Sequence, residues 1–283
     1  MKAPLRVGIV GGGLMGSGIA ETVAAAGHDV RVHEPIAQAR APSLQRIVAS
    51  TERALATGKL DAERRRELLE RISYVDELAD LADRELVIEA VLENLAVKVD
   101  VFDRLAAHVG AQTVLASNTS SIPIAALAGT LQAPERVIGL HFFSPAPVMR
   151  LVEVVPALNT SEQTLAAARA FVESLGKTAV TSPDRAGFVV NMLLIPYLVS
   201  AVRMFEEGFA TREDIDSAMV LGCGHPMGPL TLCDFIGLDV VCAVCDSLFE
   251  EFRRADFAAP PLLRRMLSAG RLGRKSGRGF YEY

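Results

Sequence analysis

The sequence has no excess of positive charge and no long uninterrupted apolar run. Its 283 residues carry a formal net charge of -5 at pH 7, whereas general affinity for nucleic acid requires a basic surface that neutralises phosphates. The longest apolar stretch, residues 186–202, contains Asn191 and Pro196 and is shorter than the ~20 residues that span a bilayer. These absences argue against a nucleic-acid partner and against a membrane-spanning segment.

Cysteine is scarce, and the start of the chain lacks a secretory signal. A signal peptide needs a basic segment and a small-residue cleavage site, but this chain runs directly into an apolar strand pattern. Of the four cysteines, Cys242 and Cys245 form a C-x-x-C pair that helical spacing explains, and Cys223 and Cys233 supply no second ligand pair. We therefore expect a cytoplasmic protein with reduced thiols and no metal site.

The residues that are present suffice for a core in each of two domains, since 50% of them are hydrophobic. Through residue 183, short apolar strand patterns alternate with helical ones, which is typical of an α/β domain with a mostly parallel sheet. Beyond that point the strand patterns stop. The sequence predicts an all-α domain over residues 184–283, with helices at 188–207, after Thr211, from Pro229 and at 260–269.

A glycine-rich turn, GGGLMG, follows the first predicted strand and opens a helix. Gly11 permits the sharp turn, and Gly13 lets the backbone approach a pyrophosphate. Leu14 and Met15 then lead to Gly16, which lets helix and strand pack closely with the phosphates at the helix N-terminus. The pattern in this context predicts a dinucleotide-binding site.

Glu34 stands at the end of the second predicted strand, where an acidic residue holds the ribose 2′-hydroxyl of a dinucleotide. A carboxylate at that place would repel a 2′-phosphate, which favours NAD over NADP. Arg31 and Arg40 lie close enough in sequence to weaken this preference. A solvated acid at a strand end is the alternative interpretation of Glu34.

Residues 36–72 form two predicted helices, divided near Lys59, whose charge opposes that of the whole chain. They contain eight Lys or Arg and five Asp or Glu residues, which gives +3 within a protein of net charge -5. A basic hairpin of this kind suits an anionic carrier such as the phosphates of coenzyme A. By composition alone, helices whose charges pair with each other in solvent are the better supported alternative.

Five polar residues, 117–121, follow another buried strand pattern, and Ser120 is among them. Ligands of open parallel sheets bind beyond the carboxyl ends of the strands, so these side chains are well placed for a ligand. The alternative is a cap for the helix that begins near Pro123, which a single serine would supply.

Two strand patterns flank a Ser-Pro-Ala-Pro turn, and each carries an ionisable side chain. Glu153 alternates with apolar residues on the second strand, so its carboxylate is expected to be buried and to need a partner. His141 precedes the turn, and a carboxylate bonded to one imidazole nitrogen makes the other a general base. The alternative pairs Glu153 with Arg136 or Arg150 and leaves His141 as a core histidine.

Within the helical domain, Asn191 lies on an apolar helix, where an amide without partners costs about 1–3 kcal/mol. It either reaches a ligand in a cleft between the domains or ties the domains together. The scarcity of charge along residues 188–200 predicts burial against the first domain or a second subunit, and we expect a homodimer. The basic tail, residues 273–281, is predicted to be flexible, with Lys275 able to cover a bound anion.

Several motifs together resemble the L-3-hydroxyacyl-CoA dehydrogenase family, most closely its stand-alone bacterial 3-hydroxybutyryl-CoA dehydrogenases. They are GIVGGGLMGSGIA, VIEAVLEN, SNTSSIPI, GLHFFSPAPVMRLVEVV, DRAGFVVNMLL, HPMGPL and GRKSGRGFY. The resemblance runs nearly end to end. It implies a Rossmann-like domain, a helical dimerisation domain, and reversible oxidation of an (S)-3-hydroxyacyl-CoA by NAD to the 3-oxoacyl-CoA.

The resemblance also implies roles for individual residues. His141 corresponds to the catalytic base and Glu153 to its orienting carboxylate, while Ser120 and Asn191 correspond to groups near the reacting oxygen. Further positions match cofactor contacts at Glu34, Glu93, Lys98 and Lys275, and acyl-CoA contacts at Ser50 and Lys59. Many relatives have asparagine where this chain has Ser144, so we expect an altered cofactor contact there rather than loss of activity.

Other functions fit parts of the same pattern. A hydroxyacyl group on an acyl carrier protein would undergo the same chemistry, with the basic hairpin docking a protein. A free sugar acid would not need that hairpin. A non-catalytic dinucleotide-binding protein of the crystallin type would not need Ser120, His141, Glu153 and Asn191 together.

Overall fold

The computed structural model describes residues 4–283, which form two compact units, the first extending to Asp184 and the second spanning Arg185–Tyr283. This division lies one residue from the domain boundary expected from the sequence. Each unit has its own buried apolar cluster. Among residues 4–283 we find no helix with both the length and the apolar character needed to cross a membrane.

The first unit is built on a mostly parallel sheet, as predicted. Its described strands are β1 Arg6–Val10, β2 Asp29–His33, β3 Ile72–Val75, β4 Leu86–Glu89, β5 Val114–Ser117, β6 Val137–Phe142, β7 Leu151–Pro156 and β8 Thr178–Thr181. They are arranged in the order β3-β2-β1-β4-β5-β6-β7-β8, and the single antiparallel pairing joins β6 to β7. The carboxyl ends of β1 to β6 therefore share one edge, where ligands of such sheets bind.

Helices of the first unit connect these strands. They are α1 Leu14–Ala25, α2 Ala37–Ala56, α3 Ala62–Glu70, α4 Leu95–His108, α5 Ile124–Ala128 and α6 Glu162–Ser174. The pair α2 and α3 forms the hairpin expected between residues 36 and 72. Asp61 caps α3 and Ser161 caps α6, each by accepting a backbone N–H three residues on.

The second unit is helical, with one helix more than the sequence analysis expected. Its helices in the described range are α7 Val190–Glu206, α8 Arg212–Cys223, α9 Pro229–Ile236, α10 Leu238–Phe252 and α11 Pro261–Ser268. The helix that begins at Pro229 ends at Gly237, which has φ of 103°. Because this backbone conformation favours glycine and cannot continue a right-handed helix, α10 starts as a separate element.

The C-terminal tail is folded against the second unit, so the expectation of a flexible tail is wrong. The carboxylate of Asp234 accepts the backbone N–H of Phe280 and of Tyr281, each at 2.9 Å, and the Tyr283 hydroxyl at 3.1 Å. Phe280 is 4% exposed. A buried carboxylate that accepts three hydrogen bonds fixes the segment that follows Lys275.

Candidate active site

The glycine-rich turn between β1 and α1 has the close approaches that its sequence requires. Gly11 has φ of 100°, and a Cβ there would lie 2.7 Å from the carbonyl oxygen of Ala90. A Cβ on Gly16 would lie 1.8 Å from the carbonyl oxygen of Gly11, whereas one on Gly13 would meet no atom within 4 Å. Gly11 and Gly16 thus permit tight packing, and Gly13 leaves open space above the turn.

The start of α1 suits the pyrophosphate of a dinucleotide. Gly13 is its N-cap and provides no side-chain cap, so the first backbone N–H groups of the helix, from Leu14, Met15 and Gly16, remain available to an anion. Leu14 is 68% exposed, which places this end of the helix at the surface. Open space at Gly13 and an uncapped helix N-terminus together fit NAD.

Glu34 lies directly after β2 and is turned towards the glycine-rich turn. Its carboxylate accepts the N–H of Gly12 at 3.0 Å and that of Ile36 at 3.2 Å, and the residue is 8% exposed. The alternative of a solvated strand-end acid is therefore wrong. A carboxylate held beside the phosphate-binding turn is placed for a ribose hydroxyl and against a 2′-phosphate.

The two arginines that were expected to weaken the preference for NAD are both engaged elsewhere. Arg31 pairs with Asp83 at 3.0 Å, and Arg40 pairs with Asp76 while its Nε donates to the Glu34 backbone oxygen. Neither guanidinium is held ready for a 2′-phosphate, which leaves the Glu34 charge dominant.

A buried ion pair lies at the end of β4, whose last residue is Glu89. Lys98 is 1% exposed, and its Nζ contacts Oε1 of Glu89 at 2.7 Å and Oε2 of Glu93 at 3.2 Å. Glu89, with 0% exposure, also accepts the N–H of Val91 at 2.7 Å and the hydroxyl of Ser117 at 2.6 Å. The sequence analysis missed Glu89, although an acid ending a wholly apolar strand is a signal that could have revealed it.

Glu93 organises the polar segment 117–121. Its Oε1 accepts the Thr119 hydroxyl at 2.6 Å, the Ser120 N–H at 3.0 Å and the Ser121 hydroxyl at 3.0 Å. Burial opposes ionisation of Glu93, but the Lys98 ammonium and these hydrogen bonds outweigh it and hold its pKa below the usual value. The carboxylate therefore stays charged and fixes the loop that carries Ser120.

The segment 117–121 does not cap the following helix, so that alternative is wrong. The N–H groups of Ile124 and Ala125, which open α5, both donate to the carboxylate of Asp184 at 2.7 Å. The hydroxyls of Ser117, Thr119 and Ser121 instead donate to Glu89 and Glu93.

His141 and Glu153 are paired inside the sheet. They lie directly opposite each other in the antiparallel ladder of β6 and β7, and Nδ1 of His141 is 2.8 Å from Oε2 of Glu153. Glu153 is 0% and His141 6% exposed. The alternative partner Arg136 instead donates to the backbone oxygen of Gly110 at 2.7 Å. This geometry directs Nε2 of His141 away from the carboxylate.

Ser120 follows β5, and His141 lies near the end of the adjacent parallel strand β6, at the same edge of the sheet. Ser117 of β5 is in register with Gly139 of β6, and Asn118 ties the strand ends together by accepting the Phe142 N–H at 2.9 Å. Asn118 is a second residue whose role the sequence analysis missed. Ser144 lies further along, exposed and followed by a cis peptide bond.

The hairpin of α2 and α3 brings together the predicted acyl-CoA contacts, and most of its charges are paired. Ser50 is half-buried and donates to Glu21 at 2.9 Å. Lys59 is exposed at the tip, and neither it nor Arg53 forms an ion pair with any residue in the range 4–283. Five other arginines do pair with acids, namely Arg40, Arg64, Arg65, Arg66 and Arg71. Most charged side chains of the hairpin thus form ion pairs with each other or with nearby acids, whereas the ammonium of Lys59 is available to an anionic ligand.

Two predicted site residues belong to the second unit. Asn191 is the second residue of α7 and is half-buried. Its N–H donates to the backbone oxygen of Gly187 at 3.0 Å. Lys275 donates to Oδ2 of Asp239 at 2.6 Å, so the cation is held by α10 of its own unit.

Family models match both units of the chain. A family model for the 3-hydroxyacyl-CoA dehydrogenase NAD binding domain matches residues 6–185, and one for the C-terminal domain of the same family matches residues 187–283. A 3-hydroxybutyryl-CoA dehydrogenase of Mycobacterium tuberculosis is 52% identical over 98% of both chains.

Solved structures of related proteins are similar to this chain in fold as well as in sequence. The M. tuberculosis FadB2 crystal structure matches with a TM-score of 0.98 and 52% identity over 100% of both chains. The (S)-3-hydroxybutyryl-CoA dehydrogenase PaaH1 of Ralstonia eutropha matches with a TM-score of 0.94 and 41% identity over 99% of both. With these matches and a glycine-rich turn that fits NAD, the chain belongs to the NAD-dependent 3-hydroxyacyl-CoA dehydrogenase family.

Proposed function

We propose that this dehydrogenase oxidises a short-chain (S)-3-hydroxyacyl-CoA, such as 3-hydroxybutyryl-CoA, reversibly, with His141 as the general base. The observation that carries the proposal is the buried contact of 2.8 Å between His141 Nδ1 and Glu153 Oε2. It lies at the edge of the sheet where the glycine-rich turn also opens. The short acyl chain is inferred from relatives named for 3-hydroxybutyryl-CoA.

His141 takes the proton of the 3-hydroxyl group through Nε2. Glu153 accepts the Nδ1–H, which fixes the tautomer and stabilises the imidazolium that forms. NAD, when bound, supplies the acceptor for the hydride that leaves C3. In the reverse direction the imidazolium returns its proton to the oxygen.

Ser120 holds the reacting oxygen, and its hydroxyl donates a hydrogen bond that strengthens as the carbonyl becomes polarised. For Asn191 the family resemblance implies an amide that donates to the same oxygen. Glu93 contributes through Ser120, because its bonds to the N–H of Ser120 and to the two neighbouring hydroxyls keep that loop in one conformation. Ser50 and Lys59 bind the nucleotide part of the acyl-CoA, away from the chemistry.

The test is reduction of acetoacetyl-CoA by the purified protein, followed as loss of nicotinamide absorbance. NADH is expected to support turnover and NADPH to be much poorer, because Glu34 opposes a 2′-phosphate. Acetoacetyl groups on an acyl carrier protein and on pantetheine serve as competing substrates. If the carrier-bound substrate is turned over faster than the CoA ester, the physiological substrate is carried by an acyl carrier protein. If NADH binds but no substrate is turned over, the protein has a binding role.

We further propose that the protein is a cytoplasmic homodimer that pairs through the second unit. Phe209 and Leu221 of this unit are 78% and 84% exposed. Phe209 lines the same shallow surface recess as Met204. Apolar side chains of this size gain free energy when a second copy covers them. All four cysteines are free thiols, as is usual in the cytosol.

A further inference from the structure

Ser50, proposed above as a contact of the acyl-CoA, is engaged by a carboxyl group from a neighbouring helix. Its hydroxyl donates to Oε1 of Glu21 at 2.9 Å. Glu21 lies on α1 and is 7% exposed, whereas Ser50 on α2 is half-buried and keeps an exposed side. The mechanism described so far makes no use of Glu21.

A serine hydroxyl has a single hydrogen to donate. When Glu21 is ionised it can only accept, so Ser50 directs its hydrogen to Glu21 and offers a ligand no donor. When Glu21 is protonated, its own O–H can donate to Ser50 Oγ, which releases the serine hydrogen for an anionic oxygen. An ionised Glu21 would in addition repel that anion.

We propose that Glu21 is a positioning residue of the acyl-CoA site, which presents the Ser50 hydroxyl to a substrate phosphate only when the Glu21 carboxyl carries a proton. The inference rests on the proposed function, since it takes Ser50 as a substrate contact.

The surroundings of Glu21 place its titration in the neutral range. Burial raises its pKa from 4.5 to about 7, because lost hydration outweighs the hydrogen bond from Ser50 and the charge of Arg53. Helix α1 packs against α2, α3 and strands β1 to β3. Arg53 of α2 is the charge that acts on Glu21 from these elements.

Other ionisable groups on the same elements have their own partners. On α2 and α3 these are Arg40 with Asp76, Arg46 with Gly12 and Ser17, Glu52 with Arg65, Arg64 with Asp61, Arg66 with Glu63 and Glu70, and Glu67 with Arg71. On the strands these are Arg6 with Glu85, Asp29 with Arg84, Arg31 with Asp83, and Tyr74 with Ser43. Burial lowers the pKa of His33, at the end of β2, which keeps it neutral near pH 7.

Binding of acyl-CoA is therefore expected to weaken as the pH rises through 7. The diphosphate of the substrate is fully ionised over this range, and the second ionisation of its phosphate monoester lies near pH 6, so the charge of the substrate changes little above pH 7. Loss of one charge-assisted hydrogen bond corresponds to a roughly tenfold increase in Kd between pH 6.5 and pH 8.5. A tenfold preference for the protonated form raises the pKa of Glu21 by about one when the ligand binds, so only part of a proton should be taken up per ligand, at most about one half near pH 7.5.

The experiment is calorimetric titration of the full-length protein with acetyl-CoA at both pH values, in buffers of different ionisation enthalpy. Glu21→Gln has no titrating proton and carries an amide N–H that can donate to Ser50 at either pH, so its Kd should be the same at both pH values, without proton uptake. Glu52→Gln removes a carboxylate from the exposed side of α2 and is the matched control, which should behave as wild type. Ser50→Ala, which has no hydroxyl to present, should bind weakly and keep only the smaller pH dependence that comes from repulsion by ionised Glu21.

A wild-type Kd that does not change with pH, or a pH dependence that persists in Glu21→Gln, would overturn the role of Glu21. If Glu21→Gln fails to fold, a pH dependence in Ser50→Ala as large as that of the wild type would overturn it equally. Turnover of acetoacetyl-CoA, measured on the same samples, separates the two proposals. Normal turnover with a Kd that does not change with pH would reject only the role of Glu21. If neither turnover nor binding is detected, both the role of Glu21 and the proposed function are rejected.

Discussion

Glu89 has no exposed surface, yet an ammonium, a hydroxyl and a backbone N–H all donate to its carboxylate. Through Ser117 and Lys98 it holds the ends of β5 and α4 beside the loop of Ser120. Removing the charge of a buried ion pair leaves its partner uncompensated, which is strongly destabilising. Glu89 therefore supports the loop of Ser120 through its protein partners.

Glu89→Gln is expected to lower the free energy of unfolding by about 2–4 kcal/mol, because Lys98 would keep only the Glu93 carboxylate. Urea unfolding measures the change. Glu85→Gln, at an exposed acid that pairs with Arg6 at 3.5 Å, is the control and should shift stability by less than about 0.5 kcal/mol. Equal effects of the two substitutions would contradict the role of the buried pair.

Residues differ in how far the sequence reveals their roles. His141 and Glu153 were predictable as a possible pair, because a short connection between two strands brings their positions opposite each other. Their choice of each other over Arg136 depended on side-chain directions that strand periodicity does not give. The roles of Glu89 and Glu21 were not predicted, because their hydrogen-bond partners Ser117 and Ser50 are distant in sequence.

The tail that follows α11 behaves as an element of the second unit, although it contains little regular structure. Asp234 of α9 accepts the backbone N–H groups of Phe280 and Tyr281. Asp216 of α8 accepts the hydroxyl of Tyr281 at 3.0 Å. These bonds fix the backbone on the C-terminal side of Lys275.

Asp234→Ala is expected to lower the free energy of unfolding by about 2–4 kcal/mol, since it leaves the tail N–H groups without acceptors. Thermal unfolding and limited proteolysis of the tail check the result. Asp246→Ala, at an exposed acid of α10 that pairs with Arg264, should change stability by less than about 1 kcal/mol. A tail that stays protected from protease in Asp234→Ala would contradict the anchoring role.

Among the elements, those with strong local signals were predicted and those set by tertiary contacts were not. The glycine-rich turn, the capped helices and the apolar strands follow from spacing and turn residues. The ordered tail was missed because its glycines and basic residues are typical of flexible segments. Its order comes from Asp234, a carboxylate 46 residues away from Phe280 in the chain.

At the scale of the whole molecule, the division into a sheet unit and a helical unit followed from where the strand patterns stop. Association between copies depends on which exposed apolar side chains meet, and residue periodicity does not reveal that. Phe209 and Leu221 are the candidates that exposure singles out in the second unit.

Phe209→Asp is expected to convert the proposed dimer to a monomer of 30.3 kDa, because a charge would have to be buried at the contact. Light scattering coupled to size-exclusion chromatography measures the mass. Leu158→Asp places the same charge on a 93% exposed apolar residue of the first unit and should leave the mass unchanged. A wild-type protein that is already monomeric would refute the dimer.

The most direct test of the central claim is turnover of acetoacetyl-CoA with NADH by His141→Ala, with NADH binding measured on the same protein. Positioned proton transfer contributes about 10²–10⁴-fold, so kcat should fall at least that far while NADH still binds. His108→Ala, at an exposed histidine of α4, is the control and should keep wild-type kcat. If His141→Ala turns over acetoacetyl-CoA at a rate close to wild type, His141 is not the base.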